Sequence, residues 1–375
     1  MEQKLKGATV GKPIRYNREG RNVQGDTWAC AWAEDDTLYT VMDDTTGFDL
    51  VLNSTKDRNV AIGTFGASTP PELVGTTLNG MEAYGCANQL GSDGASWKGN
   101  GITCVNNVLY LSVSRHWYHV KEFDYRQIAR DASIVKSEDQ GQTWAPQPDQ
   151  AQPLPNPLFP GQRFATPFFV DFGRDSEALE SLPQAADRYL YAVSTDGYWN
   201  NGNGIHLARV LRTDLPKLEL QHWEFFCGRR VGNEEPIWRT GQAGLEACYP
   251  ILSKPYCFGQ TGMTYLKNLK RYMLVGWHYP RLGKDSWQHQ TSVWDFYEAP
   301  TPWGAWTLFA SHTWETEGFY NPILPSKFIS RDNRQLWALT SGDFNTHNQD
   351  LDTTLYTLYL VPITLDDEER EAIER

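Results

Sequence analysis

Gly101-Ile102-Thr103-Cys104-Val105-Asn106-Asn107-Val108-Leu109-Tyr110-Leu111-Ser112-Val113 is the stretch from which the fold can be read. Two apolar runs rich in β-branched residues flank a polar dipeptide that suits a tight turn, so the segment predicts a β-hairpin. Four further stretches repeat the pattern: Trp28 through Glu34-Asp35-Asp36 to Leu38–Met42, Thr166–Val170 across a longer insertion to Tyr189–Val193, Met263–Leu266 to Arg271–Val275, and Lys327–Ser330 to Gln335–Leu339. Aligning the second strands superposes Tyr39, Tyr110, Tyr191, Met273 and Trp337, with separations of 71, 81, 82 and 64 residues and 77 round the chain ends.

That spacing is an internal repeat with a period near one fifth of the 375 residues. Within the intervals lie more amphipathic hairpins: Ser133–Lys136 with Thr143-Trp144, Ile205–Val210 with Trp223–Phe225, and Ser292–Tyr297 with Trp306–Leu308. Continuous apolar runs suit buried inner strands and alternating ones suit outer strands. The expectation is therefore all-β, a single-domain five-bladed β-propeller with four-stranded blades, with a large β-sandwich as the rival. Either Pro13–Tyr16 or Thr354–Leu360 would close the ring. The propeller domain is expected over residues 1–365, followed by an acidic tail over 366–375 that reads as a solvated helix or fray.

Composition agrees and excludes other classes. The chain holds 15 Trp, 18 Tyr and 16 Phe, with 31 Gly and 21 Pro, which suits short strands, turns and aromatic packing, and also suits sugar binding. A net charge of −12 argues against nucleic acid, which needs clustered Lys and Arg, and no apolar run is long enough to span a membrane. A monomer is expected. Six cysteines contain no CxxC pair, and Cys30 and Cys104 fall in strand patterns as small buried residues. Met1–Ala8 has no apolar leader core, so the protein is secreted or periplasmic if a signal peptide has been removed and otherwise cytoplasmic. The sequon Asn53-Ser54-Thr55 does not decide the compartment.

On a propeller, the residues entering each inner strand and leaving its neighbour emerge on one end of the ring. Asp43-Asp44, Arg115-His116, Thr195-Asp196, Trp277-His278 and Gly342-Asp343 leave the second strands; Asp26, Trp28, Trp97-Lys98, Arg163, Gln260 and Tyr320 stand at the entries. One mouth thus gathers acids, bases and aromatics. Asp26 and Asp44 flank one hairpin, and glycoside hydrolysis needs such a pair, one carboxyl protonated to serve the leaving oxygen and one ionised to attack carbon or activate water. Asp43 would orient its neighbour or bind a hydroxyl; its alternative is a calcium or turn site. Trp28, Trp117, Tyr198 and Trp199 would offer stacking faces, while Arg115, Lys98 and His278, with Arg163, Asp196 and Asp343, would hold hydroxyls or a carboxylate. A second chemistry is open: His116 as a base beside Arg115, which would neutralise a uronate in a polysaccharide lyase. A non-catalytic sugar-binding propeller is a third reading. No cofactor is required, a structural calcium being the one metal allowed, and no His-x-His or His-x3-His pair presets a zinc site.

Ser137-Glu138-Asp139-Gln140-Gly141-Gln142-Thr143-Trp144 matches the Asp-box pattern SxDxGxTW, a structural turn and not a catalytic element. Together with Gly25–Trp28, Trp32–Tyr39, Phe169–Gly173 and Tyr297–Trp306, it makes most of the chain resemble β-propeller carbohydrate-active proteins of the domain-of-unknown-function 4185 type. That resemblance implies endo-acting hydrolysis of D-arabinan, with Asp26 and Asp44 where the family's acid and nucleophile or base lie. The cluster Arg115-His116-Trp117-Tyr118-His119 departs from it and keeps a resemblance to propeller lyases that cleave rhamnose-glucuronate linkages.

Overall fold

A computed structural model describes residues 4–17, 23–48, 57–182, 188–232, 234–283, 291–346 and 353–367. The protein is all-β, with 49% strand and 10% helix. Its strands form five antiparallel groups. The first group runs β3 (Asp26–Trp32), β4 (Leu38–Thr45), β5 (Arg58–Thr64) and β6 (Thr76–Asn79). The second runs β7 (Ser96–Val105), β8 (Val108–Val120) and β9 (Arg126–Ser137). The third runs β10 (Phe168–Asp171), β11 (Tyr189–Thr195), β12 (Gly202–Leu211), β13 (Trp223–Arg229) and β14 (Pro236–Thr240), with β15 (Pro250–Phe258) also paired to β12 and one short helix, α1 (Gly241–Ala247), after β14. The fourth runs β16 (Met263–Leu266), β17 (Arg271–His278), β18 (Ser292–Ala299) and β19 (Thr307–Trp314). The fifth runs β20 (Tyr320–Ile323), β21 (Gln335–Ser341), β22 (Leu358–Asp367) and β1 (Leu5–Val10), with β2 (Ile14–Arg15) also on β22.

The first strands touch in the order β3, β7, β10 and β16, and β20, which packs on β17, returns to β3. One of these contacts is a parallel ladder, Val170 opposite Met263 and Asp171 opposite Thr264, which joins the third and fourth groups into one hydrogen-bonded sheet. Burial grades outward as the sequence pattern predicts. Every residue of β4 is buried and only His278 of β17 is not, whereas β19 is largely exposed. Polar outer strands can face water because an antiparallel sheet needs only one covered face.

Four expectations need correction. Four strands per unit is too regular, because the second group has three described strands and the third has more than four. The fifth hairpin does not start at Lys327: Ser326–Phe328 is a single helical turn, and the first strand is β20, with Tyr320 opposite Ser341 and Ile323 opposite Leu339. Pro322 and Pro325 kept that strand from reading as one, since proline cannot donate to a ladder. The fifth group uses both of the segments offered as alternatives, with β22 taking β21 on one side and β1 and β2 on the other. β22 runs to Asp367, and residues 368–375 lie outside the described residues, as does the sequon. All six cysteines are free thiols; Cys104 is buried and Cys30 only partly so.

The turn over Ser137–Trp144 is held by its own side chains. Ser137 Oγ donates to Asp139 (2.8 Å) and accepts from Gly141 N (2.8 Å), Asp139 accepts from Thr143 N (2.9 Å) and Oγ1 (2.6 Å), and Trp144 Nε1 donates to Gly141 O (3.0 Å). Nothing in it faces the site described next.

Candidate functional site

A cavity of about 270 Å³ opens where the first hairpins begin, lined by Asp26, Asp44, Lys98, Tyr118, Gln127, Trp199, Asn200, Tyr279 and Tyr320, with Asn88, Tyr125 and Phe344 toward its rim. Asp26 starts β3 and Asp44 sits one residue before the end of β4. The ladder pairs Asp26 with Asp43, so strict alternation alone would not place Asp26 and Asp44 together. Local backbone irregularity does. Thr27 and Trp28 have φ of 75° and 48°, the β3–β4 register shifts between Thr27 and Cys30, and Asp44 itself has φ of 43°. A bulge of this kind re-aims side chains, and positive φ at non-glycine residues is tolerated where the surroundings hold it.

Asp43 points the other way and supports the site from behind. It is fully buried, accepting from Thr27 Oγ1 (2.9 Å) and from Gly99 N (2.9 Å). A Cβ at position 99 would lie 2.4 Å from Val41 Cγ1, so only glycine lets β7 approach closely enough to give that bond. Both Asp43 oxygens are thus engaged, and among the described residues no three His, Cys, Asp or Glu side chains come together as a metal-ligand group.

The two cavity carboxylates differ in environment. Asp26 accepts from Tyr320 Oη at 2.8 Å and is pushed up to about 6, first by burial, with the Asp44 charge adding and Lys98, Tyr320 and Tyr356 opposing. Asp44 Oδ2 is ion-paired with Lys98 Nζ, both side chains buried, while Asp44 Oδ1 has no hydrogen-bond partner among the described residues. Burial would neutralise Lys98, but Asp44, then Tyr118, Asp43 and Asp26, hold its pKa well above the ordinary lysine value. Asp57, which sequence reading missed, lies near enough for the Asp44 charge to act on it, and burial first, Asp44 second, push it up to about 6. The wall is rigid and aromatic. Trp199 meets Trp277 and Tyr320 edge-on, each at 5.2 Å between ring centroids.

Other expected site residues do not line the cavity. Trp28 is fully buried and donates from Nε1 to Ser341 Oγ (2.7 Å), tying the first group to the fifth instead of offering a stacking face. Arg115 is 1% exposed and committed: Nε and Nη2 fork onto Asp93 (3.0 and 2.6 Å), Nη2 also donates to Ala95 O and Nη1 to Ala151 O, and the guanidinium lies 4.6 Å from the Trp97 ring. His116 is fully buried with Nε2 on Ser114 Oγ (3.1 Å), and burial, then the Lys98 and Arg115 charges, hold it neutral. Trp117 donates to Asp93 O with Arg130 over its ring. Tyr198 has its face covered by Arg126 at 3.6 Å. Arg163 donates to Cys248 O, and Asp196 accepts from Asn203 N and Nδ2. His278 is half-buried opposite Val293. Asp343 accepts from Asn345 and reaches the site only through its charge on Tyr279. The lyase reading thereby loses both its base and its cation from the cavity.

Of the residues that do line it, Asp26, Asp44, Lys98 and Trp199 were legible as site candidates, and Tyr320 as a strand entry. Tyr118 carried one usable signal: it lies two residues beyond His116 on the long β8, and its hydroxyl is held 2.9 Å from Ser96 Oγ. Gln127 is the second residue of β9, and Asn200 and Tyr279 come from the segments after β11 and β17, with no marking in their own sequence.

No protein-family model matches the chain, and no curated protein matches it. Solved structures do. A Bacteroides ovatus protein named a "putative hydrolase" superposes with a TM-score of 0.55 at 12% identity, over 92% of this chain and 87% of that one. The catalytic domain of a GH62 α-L-arabinofuranosidase from Coprinopsis cinerea gives 0.43 at 11% identity, over 96% and 97%. A xylan β-1,4-xylosidase from Bacillus halodurans gives 0.42 at 8% identity, over 94% of this chain and 54% of that one. At such identities the likeness concerns the course of the chain, and the chemistry must be argued from the cavity.

Proposed function

We propose that the protein is a glycoside hydrolase on a five-bladed propeller, in which Asp26 is the general acid and Asp44 the nucleophile or general base. The observation that carries this is two carboxylates in one aromatic cavity held in unlike environments: Asp26 buried, hydrogen-bonded by a phenol and raised to about 6, and Asp44 salt-bridged with one oxygen left without a partner. Environments that separate two carboxyls assign acid and base roles. The cyclic order of contacts among the first strands supports five blades.

In the proposed step the proton on Asp26 passes to the glycosidic oxygen as its bond to the anomeric carbon breaks. The Asp44 oxygen without a partner among the described residues either bonds that carbon, after which a water giving its proton to Asp26 displaces Asp44 from it, or takes a proton from a water that attacks the carbon directly; in both cases the net change is addition of one water across the linkage. Trp199, backed by Trp277 and Tyr320, gives the sugar ring a fixed apolar face. The family resemblance makes D-arabinan the first polymer to assay, followed by other neutral and uronate-bearing polysaccharides. Wild type should release reducing ends without an ultraviolet-absorbing unsaturated product. Asp44→Asn and Asp26→Asn should abolish release; full activity in the folded Asp44→Asn variant would overturn the assignment.

A further inference from the structure

The two carboxylates are alike in chemistry and flank one hairpin, so something must decide which of them keeps the proton. Lys98 arrives from the neighbouring β7 and is the cation of the cavity lining among the described residues. Its Nζ is paired with Asp44 Oδ2. Asp26 takes its hydrogen bond instead from a neutral phenol, Tyr320. Both ends of the pair are nearly closed to water, where an ion pair is weakly screened and its placement matters most. The groups facing Lys98 come from three strands: Asp26 from β3, Asp43 and Asp44 from β4, and Tyr118 from β8, whose ring centroid lies 5.7 Å from Nζ. His116 and Arg115, also on β8, feel or share its field, and His116 is kept neutral partly by it. Asp57 adds a carboxyl beside Asp44. Asp43 is spoken for by Thr27 and Gly99; of the two carboxyls that reach the cavity, Asp44 is in direct contact with the ammonium, while Asp26 feels it through charge alone, which opposes the effect of burial there.

We propose that Lys98 is a positioning residue and not a substrate ligand: by pairing with Asp44 and not with Asp26, its ammonium fixes Asp44 as the carboxylate and leaves the proton of the site on Asp26. The proposal rests on the hydrolase reading for its consequence and on the geometry alone for its electrostatics. It departs from the simpler expectation that a mouth lysine serves to hold a sugar hydroxyl, because the contact this ammonium makes is with a buried carboxylate of the site itself. Arginine could keep the charge, whereas methionine keeps only the length.

Carboxyl carbon-13 titration of the whole protein labelled at aspartate Cγ tests it without a substrate. In Lys98→Met the Asp44 midpoint should rise by at least about one pH unit above wild type, so that Asp26 is no longer clearly the first of the two to take a proton, and in Lys98→Arg the Asp44 midpoint should stay close to wild type. An unmoved midpoint in folded Lys98→Met would overturn the proposal. Should Lys98→Met fail to fold, Asp26→Asn and Asp26→Asn/Lys98→Met are compared instead: the second should titrate Asp44 higher than the first, and equality would overturn the proposal. On a polysaccharide that wild type hydrolyses, Lys98→Met should lower kcat by about 100-fold with KM within about threefold, restored in part by Lys98→Arg. A raised KM at unchanged kcat would make Lys98 a sugar ligand and overturn it. The underlying reading fails separately, through Asp26→Asn and Asp44→Asn variants that retain turnover.

Discussion

Asp43-Asp44 and Arg115-His116 leave the second strands of successive hairpins at matched positions, and both pairs bring charge to the same end of the molecule. In the first pair one residue is braced from behind while the other meets the cavity with an oxygen to spare. In the second, Arg115 spends four hydrogen bonds and a ring face on its surroundings, and His116 is sealed beside Ser114. Titratable pairs at the same repeat position therefore do different work. What separates them is access to the cavity: Asp44 lines it, whereas Arg115 is bonded on all sides and His116, although its Nδ1 has no partner among the described residues, is sealed away from it.

The comparison can be broken most forcefully at Asp44. Asp44→Asn should reduce hydrolysis by about 10³-fold or more per folded molecule, measured as reducing ends, because a group that attacks or activates water is lost outright. Arg115→Ala should do the converse, destabilising by roughly 3 kcal/mol in urea unfolding through the stranded Asp93 and the emptied space on Trp97, with turnover per folded molecule retained. A collapse of turnover in a folded Arg115→Ala protein would return that residue to the site.

Asp26→Asn should sharpen the contrast by stabilising the protein. With a folded pKa of about 6 against an ordinary 3.8, Asp26 binds its proton more tightly in the native state, so stability from this group falls as pH rises through that interval and the cost is complete above it. Asp26→Asn should accordingly gain on the order of 2 kcal/mol at pH 8 and nothing below about pH 4, read from melting curves at both. For the same reason hydrolysis should decline as pH rises past about 6 and Asp26 gives up its proton. Smaller still, Trp199→Ala should raise KM about tenfold by removing a sugar-facing ring. His116→Gln should change turnover by less than about twofold, and a larger loss would mean that this sealed histidine reaches the reaction after all.

Much of the fold was legible because hairpin signals are local. The Asn106-Asn107 turn, the apolar second strands and their repeat are properties of neighbouring residues, and four of the five leading hairpins form where they were expected. The fifth was misplaced because Pro322 hides β20, and that strand is defined by its ladder to β21 and not by its composition. The site was legible where it belongs to one hairpin, as with Asp26 and Asp44. It was not legible beyond that hairpin: by ladder register Lys98 shares a strand face with His116 and Tyr118, yet Lys98 and Tyr118 reach the cavity while His116 is sealed off, and Arg115 lies on the other face. Strand side chains alternate, so one irregular residue changes which face a motif presents.

By itself the sequence determined an all-β chain of repeated hairpins, its aromatic wealth, and a pair of carboxylates at the two ends of one hairpin, because turn chemistry and strand patterning act over a few residues. Only the tertiary structure decided which polar groups are spent and which remain open. Asp93 and Ala151 reach Arg115, Ser341 reaches Trp28, Tyr320 reaches Asp26 and Lys98 reaches Asp44 from distant parts of the chain or from a neighbouring strand group, and hydrogen bonds and ion pairs of that kind depend on where the strand groups meet.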